Sequence, residues 1–219
     1  MHKSILITSL LLLSATSMAC NKASASVMTI PDPAVDETLR NGSAKQTVVL
    51  AGGCFWGVEA VFEHVKGVTD VRSGFAGGKG SATYDEVSTG NTGYAESVEI
   101  TYDPSKITYG KLLKVFFAVA HDPTEVNRQG PDTGTQYRSA IFYANDEQKR
   151  IAQAYIDQLN KAKVFPRVLA TQLSPLDTFH EAEAYHQNYL ANHPDDSYIV
   201  YNDLPKLEKL RKEFPQLYR

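Results

Sequence analysis

A short β-branched run, Thr47 to Leu50, ends at Gly52-Gly53, and the apolar spacing then switches from that of a strand to that of a helix. Phe55, Val58, Phe62 and Val65 recur on one helical face until Gly67 breaks it. A strand that feeds a helix through paired glycines commits the start of the domain to a layered α and β architecture. The segments that follow decide which kind. Val68 to Phe75 and Ser97 to Tyr102 read as strands, the second with Val98, Ile100 and Tyr102 in alternation. The glycine-rich stretch from Ala76 to Gly93 between them reads as loop. Thr108 suits the cap of a helix running to Ala120, and Tyr137 to Ala144 reads as a strand. Asn145 with Gln148 forms a capping-box pattern for a helix through Ile151, Tyr155 and Leu159. A strand near Val168 to Leu173 and a helix near Glu181 to Ala191 complete the periodic part. The order βαββαβ, then αβα, predicts an α+β two-layer sandwich with a ferredoxin-like core and helices packed on one sheet.

The chain divides into three. Residues 1–19 combine the positive His2-Lys3 start, an apolar run from Ile5 to Leu13 and the small-x-small pattern Ser17-Met18-Ala19, which together predict a signal peptide and export to the periplasm or cell envelope. Residues 20–45, rich in Ser, Ala, Asp, Asn and Pro, read as a flexible tether. Residues 46–219 form the domain, expected as a monomer. Cys20 directly follows the cleavage pattern, so lipidation there, anchoring the protein to a membrane, stands beside plain cleavage after Ala19 or Ala25. Ser17 occupies the position where a lipoprotein signal usually has an aliphatic residue. A net charge of −3 and a pI near 6.1 leave no basic surface for nucleic acid.

If residues 1–19 are removed, the domain keeps one cysteine, Cys54. An exported protein uses cysteines in pairs as staples, so a single one is either chemistry or an inert buried thiol. Cys54 falls where the strand turns into the helix. First-turn amides and the helix dipole there favour a thiolate, by about 1.36 kcal/mol for each unit that the thiol pKa falls. That predicts a substantial thiolate near neutrality. Phe55 and Trp56 follow at once, either as core or as the apolar wall of a pocket for a methyl or thioether group.

Gly53-Cys54-Phe55-Trp56-Gly57-Val58-Glu59 resembles the signature of type A peptide methionine sulfoxide reductases. Further blocks match at similar spacing: Gly74-Phe75-Ala76-Gly77-Gly78, Tyr84-Asp85-Glu86-Val87, Thr92-Gly93-Tyr94-Ala95-Glu96, His121-Asp122-Pro123-Thr124, Asp132-x-Gly134-Thr135-Gln136-Tyr137 and Ala182-Glu183-x-Tyr185-His186-Gln187. The resemblance implies reduction of the S-epimer of methionine sulfoxide, free or in proteins, with Cys54 as nucleophile and Glu96 as the acid. It implies that Tyr84 and Tyr137 bind the sulfoxide oxygen and supply neutral donors around Glu96. Asp132 would contact the backbone of the bound methionine, while Phe55 and Trp56 take its methyl group. It also implies no bound cofactor and an external thiol reductant, such as a thioredoxin-like protein. Singly, each residue has a plainer reading: Glu96 as a solvated strand residue, the tyrosines as packing, Asp132 as a turn residue. Placed in matching blocks around one cysteine, they point to a site.

The chain departs from the family at two points. Tyr94 stands where His is more frequent, and no cysteine follows Cys54, which places the chain with the one-cysteine members. Glu183-x-x-His186 has no second copy, so a packed or capped helix face is expected there and no metal site. Ser73 and Gly80 break a P-loop spacing at both ends, and the glycines before Gly57 lack dinucleotide spacing. Two rivals remain at this level, a cysteine-based peroxidase and a non-catalytic module that binds methionine-rich peptides.

Overall fold

The computed structural model of the protein describes residues 30–40, 42 and 44–219. The expected signal peptide and Cys20 lie outside the described residues. In chain order the elements are β1 (Gln46–Gly52), α1 (Phe55–Glu63), β2 (Val68–Ala76), α2 (Tyr84–Ser88), β3 (Ala95–Tyr102), α3 (Tyr109–Val115), β4 (Arg128–Gln129), β5 (Asp132–Thr133), β6 (Ser139–Tyr143), α4 (Asp146–Lys161), β7 (Gln172–Pro175), β8 (Phe179–Glu181), α5 (Tyr189–Asn192) and α6 (Leu204–Glu213). The main sheet runs β7-β6-β1-β3-β2-β8. Its four central strands are the split βαβ arrangement: β3 lies antiparallel between β1 and β2, and β6 lies antiparallel on the other side of β1. The architecture is α+β with the ferredoxin-like order of strands.

Alternation along β1 sorts the sheet's two faces. Val48 and Leu50 join α1, α3 and α4 in the larger core, with Phe62, Leu112 and Tyr155 fully buried among them. Each such side chain contributes roughly 1.5–3 kcal/mol relative to exposure. Val49 and Ala51 point to the opposite face. There they meet Ala76, Ala95, Ala140 and Phe142 under Leu176 and Phe179. The alanines keep that layer thin, so a loop covers it in place of helices.

Local chemistry sets the helix ends. The Thr108 side chain accepts from the Lys111 amide and the Asn145 side chain from that of Gln148. The Gln148 side chain returns to the amide of Ala144 and reaches across to the carbonyl of Thr47, tying α4 to β1.

Five expectations are corrected. The Ala76–Gly93 loop contains α2. The helix capped by Thr108 ends as α-helix at Val115 and widens into a π turn, Phe116–Ala120, every residue of which is buried. The strand expected near Val168 begins at Gln172, because the amides of Leu169 and Ala170 bond to Asn160 Oδ1 and the Pro123 carbonyl instead. The helix expected over 181–191 is replaced by the end of β8, a 3₁₀ turn Ala184–His186 and the short α5. Gln187 ties this stretch to β2, its side-chain amide taking both the N–H and the carbonyl of Ser73. Helix α6, preceded by a π turn Ile199–Asp203, had no sequence expectation.

The fifth correction concerns the tether. Residues 30–40 pack on the domain. Ile30 is buried, and the Tyr155 hydroxyl donates to the Pro31 carbonyl at 2.7 Å. The Asp36 carboxylate accepts from Thr108 Oγ1 and the Gly110 amide, and Glu37 Oε1 from the Tyr109 amide and the Tyr102 hydroxyl. Two carboxylates thus satisfy the free amides at the start of α3, where the helix dipole favours negative charge.

Candidate active site

The turn from β1 into α1 works only with glycine. Gly53 has φ +89, and a Cβ there would lie 2.6 Å from the Gln129 side chain. Cys54 follows with extended angles at the N-cap of α1 and makes no side-chain cap. The orphan amides of the first turn find other partners. The Phe55 N–H donates to Glu96 Oε2 at 3.0 Å. Glu96, from β3, therefore acts as a remote cap for the helix that presents the cysteine.

Cys54 is 8% exposed and Glu96 2%. Burial pushes the Cys54 thiol well above its ordinary value, the Glu96 and Asp203 charges push the same way, and the Trp56 amide opposes them. The thiolate expected near neutrality is corrected here: one amide contact does not offset the removal of water. Burial also raises Glu96 to about 8, the Phe55 amide lowering it and Asp132 raising it. The resting site at neutral pH therefore holds a thiol beside a neutral carboxylic acid.

The tyrosines stand around this pair. Burial, followed by the charges of Glu96 and Cys54, raises Tyr84 to about 12, and burial and Glu96 raise Tyr137 as well. Both phenols remain protonated donors. Among the described residues, however, the hydrogen bond to Glu96 comes from the Phe55 amide and not from Tyr84 or Tyr137. Phe55 is packed inward, its ring centroid 5.7 Å from that of Phe75 and 5.0 Å from that of His186. Trp56 is the half-buried aromatic, stacked on Tyr189 at 3.7 Å and meeting Tyr198 edge-on at 5.9 Å. Asp132 is half-buried and accepts a very short hydrogen bond from the Tyr198 hydroxyl. All seven residues singled out from the sequence converge on one site.

Several others were not foreseen. His186 Nδ1 accepts the Trp56 indole N–H at 3.1 Å, and its buried Nε2 has no partner. Desolvation lowers the His186 pKa, so the ring is neutral and free to accept. Asp203, wholly buried and paired with Lys206 at 3.0 Å, lies against Gly57, where any Cβ would collide with its carboxylate. Glu183 Oε1 holds the Tyr84 amide at 3.0 Å. Glu183 and His186 thus serve different partners, and no helix face links them. Tyr94, where His was the more frequent residue, closes the glycine loop through its hydroxyl to the Gly80 carbonyl and packs edge-on against His180. Glu183 and His186 stood in a block that resembles the family, with no role expected of either, and Asp203 gave no signal.

The family model described as peptide methionine sulfoxide reductase matches residues 46–218, nearly the whole described domain. The chain belongs to the peptide methionine sulfoxide reductases. Among relatives of this family, peptide methionine sulfoxide reductase MsrA 2 of Mesorhizobium japonicum is 59% identical over 185 residues, covering 84% of this chain and 94% of the relative. The MsrA 2 of Synechocystis is 52% identical over 188 residues, covering 84% and 88%. Two solved structures agree in fold. Methionine sulfoxide reductase A of Corynebacterium diphtheriae superposes with a TM-score of 0.60 at 40% identity, covering 77% of this chain and 84% of that one. The reduced form of Mxr1 from Saccharomyces cerevisiae gives 0.62 at 32%, covering 74% and 92%.

Proposed function

We propose that this chain reduces methionine S-sulfoxide, free or in proteins, with Cys54 as nucleophile and Glu96 as acid. One observation carries the reading. In a chain of this family, the Cys54 thiol and a carboxyl held neutral to about pH 8 meet at the first turn of α1, beside an aromatic wall. The sulfoxide sulfur needs a nucleophile and its oxygen needs a proton, and the site holds both. Glu96 gives its proton to the oxygen as Cys54 Sγ attacks, and the thiol proton returns to Glu96. The oxygen passes to Sγ as the substrate S–O bond and the Sγ–S bond formed in the attack both break. Methionine leaves reduced by two electrons and Cys54 remains as a sulfenic acid, the first step of thiol oxidation.

Tyr84 and Tyr137 orient the oxygen, Trp56 and the ring of Phe55 behind it take the methyl group, and Asp132 holds the methionine backbone. An outside thiol, such as a thioredoxin-like protein, returns Cys54 to the thiol, because no cysteine follows it in the sequence. The protein works as a monomer and repairs oxidised methionines. The pattern of residues 1–19 supports export to the periplasm or envelope, either cleaved or anchored through lipid on Cys20. Methionine production from each sulfoxide epimer, with dithiothreitol as reductant, tests the reading. Turnover of the S-epimer alone is expected. Peroxide consumption without sulfoxide reduction would favour a peroxidase, and binding without turnover a peptide-binding module.

A further inference from the structure

Glu59 lies on α1 with Cys54 and Trp56 and is 1% exposed, yet no step above uses it. Its Oε2 accepts the Asn188 N–H at 3.0 Å, while Oε1 and the nearby Ser73 Oγ are buried without partners. Burial raises the carboxyl to about 7 and the Glu63 charge adds to it, while the Asn188 amide, the Ser73 hydroxyl and the Tyr189 amide oppose that rise. A carboxyl this buried is costly unless it holds something. What it holds is the backbone of Asn188, a residue in the left-handed region with φ +54.

The residues on either side of Asn188 grip Trp56. His186 accepts the indole N–H at 3.1 Å, and the Tyr189 ring stacks on the indole at 3.7 Å with 6° between planes. Gln187 pins the same stretch to the Ser73 backbone. We propose that Glu59 is a positioning residue for the substrate pocket, which keeps His186 and Tyr189 clamped on Trp56 by holding the Asn188 amide. Its kinetic consequence rests on the reductase reading, and its optical consequence does not.

A clamp of this kind needs an acceptor and not a charge. Glu59→Gln keeps a carbonyl for Asn188 and offers its NH₂ to Ser73 Oγ. Glu59→Leu fills the volume and offers neither. An unpaired buried N–H shifts a local equilibrium by about 5–100-fold, and substrate affinity falls with the fraction of competent pocket.

Trp56 is the only tryptophan, so acrylamide quenching of the full chain's fluorescence reads the clamp directly. Glu59→Leu is expected to quench more readily and to raise KM for methionine sulfoxide about tenfold with kcat within a few-fold, while Glu59→Gln stays near wild type in both. Wild-type quenching and KM in Glu59→Leu would overturn the proposal, as would equal impairment in Glu59→Gln. Should Glu59→Leu fail to fold, hydrogen exchange in the wild type decides: the Asn188 amide should be protected like those of the central strands, and exchange at the rate of an open loop would overturn it. Should no form reduce sulfoxide, the reductase reading fails while the quenching comparison still tests the clamp.

Discussion

The two walls of the site are built by different means. The first is the β1–α1 turn, where backbone geometry places the thiol and the Phe55 amide donates to the Glu96 carboxyl from β3. The second comprises Asp132, His186, Tyr189, Tyr198 and Asp203, which come from separate loops and turns and are held by side-chain hydrogen bonds and stacking. In the proposed reaction the first wall carries the groups that exchange protons and electrons with the sulfoxide. The second shapes the space in which one could lie. Changes in the first should therefore appear in kcat, and changes in the second in KM.

Glu96→Gln should have a larger effect than any change in the second wall. Loss of a proton donor costs about 10²–10⁴-fold, and the sulfoxide step should fall by that much with little change in binding. In the wild type the acid is lost as pH rises through about 8, so the single-turnover rate should decline across that range, and the decline should vanish in the variant. A variant rate equal to wild type from pH 5 to 8 would remove Glu96 from the chemistry.

Gly57→Ala probes the seam between the walls. The added methyl group meets the Asp203 carboxylate, so overpacking of about 1–3 kcal/mol is expected, together with a Tm lower by roughly 5 °C. Calorimetry that shows an unchanged Tm would mean that Asp203 is not fixed against α1. Tyr198→Phe should have the smallest effect. It removes one hydrogen bond to Asp132, so KM should rise about tenfold with kcat within a few-fold. A kcat loss as large as that of Glu96→Gln would break the division between the walls.

The cysteine side of the first wall was legible in the sequence because its parts are contiguous. A strand, two glycines, a cysteine and two aromatics occupy one stretch, and each element's period or turn requirement is visible there. The second wall was not. The helix expected over 181–191 does not form, because Gln187 and Asn188 make their bonds through side chain to backbone and a left-handed turn. Glu96, Tyr84, Asp132 and Tyr137 were found only through resemblance, and Tyr198, His186 and Asp203 were missed. Composition also misled at residues 30–40, where Asp36 and Glu37 looked like solvated charge. They cap α3, more than 70 residues further along the chain, and no local pattern reports a partner so distant. The Cys54 protonation state was misread for a related reason: the turn was visible and the burial was not.

A single turnover without reductant tests the central claim most directly. The protein, given excess methionine S-sulfoxide, should release one methionine per site and stop. The stalled protein should gain one oxygen in mass and react with a sulfenic-acid probe, and an added thiol should restart it. Cys54→Ser should release none. A second methionine per site, a stalled form with a disulfide and no added oxygen, or release from Cys54→Ser would contradict the account.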